Sequence, residues 1–326
     1  MRSPKKSTIE INEQFKKALE IMEKTNQNAF VTGKAGTGKS TLLSYFIECT
    51  QKSVAVLAPT GVAALNVSGE TIHSFFKFLP NITLKEAEKK ARSQSKNELY
   101  KNLKTIIIDE VSMVRADLMD NVDLFLRTVK GNKKPFGGIQ MIFIGDLYQL
   151  PPVVTGSDRP HFENVYKSPW FFDSKAFNDI DFSMEFIELE KIYRQKDENF
   201  INLLNSIRTN TVDWTHIKTI NKRVSADKND QAICLTSTND RANKINEERL
   251  RGLKSKPYMF EGIIEGSFDT KRFPTESELH LKKGAQIMFV NNDSTGRWVN
   301  GTIGNIKKIS DEIVVAKIQN GQEVEV

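Results

Sequence analysis

Four short apolar runs dominate the first half of the chain: Ala29–Thr32, Val54–Ala58, Ile106–Ile108 and Met141–Ile144. Each is rich in β-branched or large apolar residues and ends in Gly, Pro, Asp or Thr, so each predicts a strand. Runs this apolar suit strands covered on both faces. Helical patterns alternate with them, and the alternation predicts an α/β fold with a parallel sheet flanked by helices. Between the second and third runs, Lys85–Lys101 is rich in lysine and glutamate with few apolar positions, which predicts a solvated helical insertion. A second αβ unit is expected after Ile187, with a helix over Phe200–Ile207, a strand over Ala232–Leu235 and a helix over Asp240–Leu250. From about Leu253 the pattern becomes β-rich, punctuated by Gly284, Gly296, Gly301 and Gly304. Ile313–Ile318 and Glu323–Val326 read as two strands joined by an Asn320-Gly321 turn. The last of these leaves an open sheet edge, which reads as the mark of a cut chain.

Composition narrows the classes. The chain has 326 residues, 39% apolar and 27% charged, the profile of a globular protein of two domains or one large one. No run of about 18 apolar residues is present to form a membrane-spanning helix. The basic start, Met1–Lys6, leads into no apolar stretch of the kind a secretory signal needs, so an intracellular location is expected, nuclear or mitochondrial if the source is eukaryotic. A net charge of +6 suits a polyanionic partner, or equally an ordinary lysine-rich surface. Cys49 and Cys234 are far apart and away from histidine, so buried thiols are expected. His73, His161, His216 and His280 are scattered, with no metal cage built from side chains alone.

The chemistry concentrates at the ends of the apolar runs. Gly33-Lys34-Ala35-Gly36-Thr37-Gly38-Lys39-Ser40 matches G-x-x-x-x-G-K-S/T and sits between a predicted strand and a predicted helix, the context a phosphate-binding loop requires. Its glycines let backbone N–H groups curl around phosphate oxygens, and the helix that follows adds its positive end. Lys39 is expected to reach the β- and γ-phosphates of ATP and the Ser40 hydroxyl to coordinate Mg²⁺. Ile106–Ile108 ends in Asp109 and Glu110, delivering two carboxylates to the same sheet edge. Asp109 is expected to hold Mg²⁺, and Glu110 to orient and deprotonate the attacking water. Ile144–Pro152 is a third strand end with polar groups there, where Gln149 is expected to sense the γ-phosphate or the water; alone, it reads equally as a strand closed by a Pro-Pro loop.

Gly33–Thr41, Asp109-Glu110 and Gly145–Val153 resemble motifs I, II and III of superfamily-1B DNA helicases, and the chain is most similar to the PIF (petite integration frequency) family. Ala58–Ala64 with Thr71–Phe76 looks like motif Ia and its extension, and Phe136–Gln140 like the end of the family's signature segment. Asn12-Glu13-Gln14 resembles the adenine-reading Q motif, and Lys191-Ile192-Tyr193-Arg194-Gln195 resembles motif IV. Leu235–Asn239, Gly284–Met288 and Val299–Gly301 resemble second-domain segments, while motifs V and VI have no counterpart before Val326.

The resemblance implies tandem RecA-like P-loop domains: a first over residues 1–185 with a small charged insertion at about 77–101, the start of a second over 186–252, and a segment over 253–326 leading into an SH3-like β insertion. It implies ATP held by Gln14, Gly33, Ala35, Gly36, Thr37, Gly38, Lys39, Ser40, Thr41 and Tyr193, with Arg194 an arginine finger brought by the second domain. Single-stranded DNA would be gripped by phosphate contacts and stacking, from Thr60, Gly61, His73 and Phe75 or Phe76 in the first domain and Thr236 and Asn239 in the second. Phe75 and Phe76 suit core packing equally well. The resulting function is a helicase or translocase, monomeric, moving 5′-to-3′ on single strands and at single-strand/duplex junctions in replication, repair and telomere maintenance. The missing motifs leave a second reading, an ATP-binding single-strand clamp with little turnover. A P-loop phosphotransferase of another class is the third.

Overall fold

The computed structural model describes residues 11–154, 156, 158–193, 197–224, 232–262, 275–291 and 293–326. The chain forms two compact units, Met1–Asn221 and Lys222–Val326. In the first, the elements run α1 (Glu13–Lys24), β1 (Asn28–Gly33), α2 (Lys39–Cys49), β2 (Val54–Ala58), α3 (Gly61–Asn66), β3 (Glu70–Thr71), α4 (Ile72–Phe76), α5 (Leu84–Ser93) and α6 (Glu98–Asn102). They continue with β4 (Thr105–Ile108), α7 (Ala116–Lys130), β5 (Gln140–Ile144), α8 (Arg159–Glu163), β6 (Met184–Leu189), α9 (Glu198–Arg208) and α10 (Trp214–Asn221).

The six strands form one sheet in the order β3-β2-β4-β5-β1-β6. Every pairing in it is parallel. The four predicted apolar runs are its inner strands, and their alternate residues feed two cores. Phe30, Ile106, Ile108, Met141 and Phe143 face one helical layer with α4 to α7. Ala29, Val31, Ile107, Ile142 and Ile144 face the other, built on α1 and α2. This two-sided burial is why the strands read as continuous apolar runs rather than as an alternation.

The edge strand β6 was not expected. Its residues are half exposed and alternate weakly, but Asn28 to Gly33 pair with Met184 to Leu189 along its whole length. The expected boundary at 185/186 therefore falls inside a strand of the first sheet, and α9 and α10 also belong to the first unit. The expected helical stretch Lys85–Lys101 holds the helices Leu84–Ser93 and Glu98–Asn102, but they do not stand apart as a solvated insertion. Thr83 and Glu86 cap α5 reciprocally, with Thr83 N–H donating to Glu86 at 2.9 Å and Glu86 N–H donating to Thr83 Oγ1 at 3.3 Å. Ala87 and Ala91, one turn apart, are fully buried within the same core as α7. Only the outer face, with Lys85, Lys89 and Arg92, is solvated. Small side chains allow that close packing while contributing little to an apolar pattern, which is why the sequence does not reveal this face.

Phe75 and Phe76 resolve toward the core. Both are buried, and Phe76 lies within 5.1 Å of the Phe125 ring and 5.0 Å of the Phe75 ring. Tyr100 closes the cluster, its hydroxyl donating to the Phe75 carbonyl at 2.6 Å. The thiols are a further correction, since Cys49 and Cys234 are both exposed. Cys49 is the last residue of α2, nearly one turn past Phe46, the last of that helix's buried residues.

The second unit contains α11 (Asn239–Gly252), the ribbon β7 (Pro257–Glu261) and β8 (Glu278–Lys282), then β9 (Gln286–Met288), β10 (Ile303–Ile309), β11 (Val314–Ile318) and β12 (Glu323–Glu325). The last four form an antiparallel sheet in the order β12-β11-β10-β9. The β-rich reading holds, and so does the Asn320-Gly321 turn, where Gly321 takes φ +89° and Gln322 N–H donates to the Asn320 side chain. Ala232–Leu235 is not a strand: Ile233 and Leu235 are exposed, and no described segment pairs with it. An apolar run becomes a buried strand only when neighbouring strands supply its ladder.

Phe76→Ala is expected to lower the unfolding free energy by about 3–5 kcal/mol, as deletion of a fully buried ring does. Chemical denaturation reads this directly, and a loss below about 1 kcal/mol would remove Phe76 from the core.

Candidate nucleotide site

Three strand ends meet at one edge of the first sheet. β1 turns at Gly33 into the loop Gly33–Gly38, and α2 begins at Lys39 with Gly38 as its cap residue. Gly33 is the tightest position: with φ +150°, a Cβ there would lie 2.5 Å from the Leu189 carbonyl and 2.7 Å from Thr37 Oγ1. Gly36 and Gly38 also take positive φ, +83° and +93°. Thr37 is buried, and both its N–H and its hydroxyl donate to the Lys34 carbonyl, which fixes the curl of the loop. Ala35, Ser40 and Thr41 lie exposed along its outer side.

The Lys39 ammonium donates to the carbonyls of Gly33 at 2.5 Å and Lys34 at 3.2 Å. Burial pulls its pKa below the usual lysine range, opposed by the negative charges of Asp146, Glu110 and Asp109 in that order. Asp109 closes β4, 7% exposed, its N–H donating to the Leu57 carbonyl at 2.8 Å. Burial pushes its carboxyl up to about 6; the adjacent Glu110 charge adds to this, while the Glu110 backbone N–H and Lys39 oppose it. Glu110 itself sits in the left-handed region at φ +49°, a sparsely populated backbone state for a residue with a side chain, and opens a short 3₁₀ turn over Val111–Met113. An open cleft of about 560 Å³ beside it is lined by Glu110, Met113, Tyr148, Gln149 and Pro151.

The third strand end carries residues that sequence reasoning missed. Asp146 follows β5 and is 1% exposed. Arg208, at the end of α9, grips it two-fold, with Nη2 3.0 Å from Oδ1 and Nε 3.1 Å from Oδ2. Tyr148 N–H donates to Asp146 at 3.1 Å, and Gln149 Nε2 does so at 3.4 Å. Burial would raise the Asp146 pKa, but the Arg208 hydrogen bonds and charge and the Tyr148 N–H outweigh it, so its carboxylate is held below the usual range. Asp146 had a signal, since it ends an apolar run as Asp109 does. Arg208 had none: an arginine in the last turn of an amphipathic helix reads as a dipole partner.

On the opposite side of the loop, Asn12 caps α1 by accepting from Phe15 N–H at 2.8 Å, and its side chain donates to the Tyr193 hydroxyl at 3.3 Å. Tyr193 N–H donates to the Gly36 carbonyl at 2.8 Å, and its ring lies beside Gly38. Gln14 uses both ends of its amide on one residue, donating to the Glu190 carboxylate at 2.8 Å and accepting from Glu190 N–H at 3.1 Å. The structure thus brings Tyr193 to the phosphate loop, while the Gln14 amide faces Glu190. Arg194 lies outside the described residues.

Of the expected DNA contacts in the first unit, Thr60 caps α3 through Ala63 N–H at 3.2 Å and Gly61 opens that helix. His73 is half-buried, its pKa lowered by burial against the opposing charge of Asp117. Phe75 and Phe76 are withdrawn into the core. In the second unit the Thr236 hydroxyl donates to the Thr238 carbonyl at 2.9 Å, and Asn239 is exposed at the start of α11. Among the described residues no cluster of three or more His, Cys, Asp or Glu side chains forms a metal cage, and no helix is long and apolar enough to cross a membrane.

Comparison with known proteins adds to this geometry. Residues 8–218 match the model of the PIF1-like helicase family. The ATP-dependent DNA helicase PIF1 of Saccharomyces cerevisiae is 36% identical over 89% of this chain and 35% of its own length. That of Xenopus laevis is 33% identical over 95% of this chain and 50% of its own. Pif1 of Bdellovibrio bacteriovorus is 31% identical over 98% of this chain and 72% of its own. The chain thus spans between about a third and about three quarters of these relatives. The crystal structure of Bacteroides Pif1 bound to ssDNA is 33% identical with a TM-score of 0.80, over 97% of this chain and 74% of that one. Pif1 helicase from Candida albicans, 27% identical, gives a TM-score of 0.81 over 98% of this chain and 78% of that one. These likenesses are to RecA-like folds, and the parallel sheet with flanking helices conforms to that class, with antiparallel sheets added.

Gly33→Ala is expected to weaken nucleoside triphosphate binding at least roughly tenfold, because the loop must shift from the Leu189 carbonyl to admit a methyl group. Titration with a fluorescent ATP analogue measures it; unchanged affinity would show that the tight approach at Gly33 is dispensable.

Proposed function

The chain belongs to the PIF1-like helicase family, and on that premise we propose that it binds ATP and Mg²⁺ at the Gly33–Thr41 loop and couples hydrolysis to 5′-to-3′ movement on single-stranded DNA, opening duplex at single-strand/duplex junctions. One observation carries the reading: Lys39, Asp109, Glu110 and the Asp146–Gln149 turn converge on a single edge of a parallel sheet, with Lys39 in the field of all three acids.

In this reading Lys39 exchanges its bonds to the Gly33 and Lys34 carbonyls for β- and γ-phosphate oxygens, a substitution of one set of acceptors for another. Asp109 suits a divalent cation, being a buried carboxyl whose proton affinity burial has raised to about 6. Asp109 and Ser40, exposed at the start of α2, would hold the ion, Asp109 as its charged carboxylate and Ser40 through its hydroxyl. Bound Mg²⁺ supplies neutralisation of charge on the phosphate oxygens. Glu110, aimed by its left-handed backbone, orients water and takes its proton. Gln149 reads the γ-phosphate side, and Tyr193 stacks beside the loop. Gln14 reads adenine once its amide turns from Glu190. Arg194, the next residue in sequence after Tyr193, supplies charge to the γ-phosphate in this reading.

Thr60, Gly61 and His73 form the grip of the first unit on DNA, and Thr236 and Asn239 that of the second, with Phe75 and Phe76 supporting the first from inside. The Lys222–Val326 unit would then belong to a second RecA-like domain with an SH3-like β insertion. Bacteroides Pif1 bound to ssDNA, and the same helicase in complex with ADP-AlF3 and ssDNA, support both ligands by relationship.

ATP turnover by the chain is expected to rise on adding oligothymidine. Lys39→Ala and Glu110→Gln should each abolish turnover while leaving DNA binding intact, and near-normal turnover in Glu110→Gln would sink its role as base. DNA binding without turnover in the unsubstituted chain would instead favour a clamp, and phosphoryl transfer to a metabolite without DNA dependence a different enzyme. Arg194→Ala should leave ATP affinity similar but slow hydrolysis by about a thousandfold, the scale of an arginine finger; a loss below about tenfold argues against that role.

A further inference from the structure

Asp146 is paired directly with Arg208, and its charge also acts on Lys39. Its carboxylate is 1% exposed, held two-fold by Arg208 and by the N–H of Tyr148. It is also the first of the three acids whose charge acts on Lys39. Arg208 is held in turn: its guanidinium lies 4.2 Å from the centre of the Tyr148 ring, and its side chain is 16% exposed. The turn between Asp146 and Gln149 therefore has its carboxylate and its ring tied to one arginine on α9. Gln149 closes the turn through its N–H to the Asp146 carbonyl at 3.0 Å and its amide to the carboxylate.

From this geometry we propose that Arg208 is a positioning residue for ATP hydrolysis, acting through Asp146 in two separable ways. It fixes the turn so that Gln149 faces the γ-phosphate, which is a matter of geometry. It also satisfies the Asp146 charge, so that Lys39 is available to phosphate, which is a matter of electrostatics. Both rest on the reading of this edge as an ATP site. A buried carboxylate stripped of its partner turns to the nearest remaining cation or takes up a proton. Lys39 is a cation on which the Asp146 charge already acts, and an ammonium drawn to Asp146 no longer serves the nucleotide.

Sequence position extends the role. Arg208 ends the helix that follows the Tyr193-Arg194 segment, and Tyr193 is itself fixed to Gly36. The first unit thus holds Tyr193 on the phosphate loop and Arg208 on the turn that carries Gln149.

The two effects separate in the kinetics of four variants of the full chain: Arg208→Ala, Arg208→Lys, Asp146→Asn and the double variant Arg208→Ala/Asp146→Asn. Each is measured for kcat and KM for ATP with saturating oligothymidine and for binding of a fluorescent ATP analogue, with circular dichroism to check folding. Arg208→Ala should raise KM and the analogue's Kd roughly tenfold, because Lys39, drawn to Asp146, gives up one charge-assisted hydrogen bond to phosphate. It should also lower kcat by up to roughly a hundredfold, through misplacement of Gln149. The double variant, having no charge to capture Lys39, should return KM and Kd to within about threefold of the parent while kcat stays low. Arg208→Lys, which keeps the charge but not the two-fold grip, should show a near-parental KM and a reduced kcat.

A purely structural role would lower thermal stability without this split. Parental kcat and KM in Arg208→Ala overturn the proposal. A double variant as weak in nucleotide binding as Arg208→Ala overturns the electrostatic half, and a parental kcat in Arg208→Lys overturns the geometric half. If Arg208→Ala does not fold, Asp146→Asn and Arg208→Lys carry the test, since each keeps a partner in place and a parental kcat in both refutes it. Failure of the ATP reading is distinguishable, because the unsubstituted chain would then neither turn over ATP nor bind the analogue.

Discussion

A parallel strand covered by helices on both faces has room for polar side chains only at its ends, and the first unit is organised by that constraint. Ile106, Ile107, Ile108 and Met141 to Ile144 are all fully buried, with alternate residues committed to opposite layers. The polar groups of β1, β4 and β5 accordingly appear where the strands stop, at Gly33, Asp109 and Asp146. Parallel pairing puts all three stops on one edge, and the start of α2 arrives at the same edge because the chain must reverse to reach β2. An antiparallel arrangement of the same runs would have divided these groups between two edges.

Collecting charge at a half-buried edge carries an electrostatic cost, and each group meets it differently. Asp109 and Asp146 end neighbouring strands, both almost without exposure, yet their carboxyls move in opposite directions. Asp109 has one backbone N–H, from Glu110, and Lys39 acting only through its charge, so burial prevails. Asp146 has the two-fold grip of Arg208 as well as a backbone N–H, and these overcome the burial. One acid is thus suited to receive a cation and the other already has one. Lys39, pulled down by burial, is supported by the charges of both acids and of Glu110.

The aromatic residues follow a different logic. Phe75 and Phe76 belong to a motif-like segment that invites a reading as DNA contacts, but a five-residue helix beside β3 presents them inward to Tyr100 and Phe125. Thr60, Gly61 and His73 remain nearer the surface of the same region. The core residues shape that surface by packing behind it, so removing one changes both stability and the position of its neighbours.

Sequence by itself determined the inner strands, the phosphate loop, the two carboxylates after β4 and the β-rich character of the second unit. These rest on local signals: runs of apolar residues, glycines where the backbone turns tightly, and polar residues at strand ends. Tertiary structure decided what depended on partners far along the chain. β6 is a strand because β1 offers it a ladder, and Ala232–Leu235 is not one because no described segment does. Ala87 and Ala91 became core because α7 lies against them, and Cys49 stayed outside because it ends α2 beyond the last of that helix's buried residues. The Asp146–Arg208 pair spans sixty-two positions, and neither residue carries a local mark of the other. A long-range ion pair is chosen by where the fold places two side chains, and that placement is set only once the sheet and helices have packed.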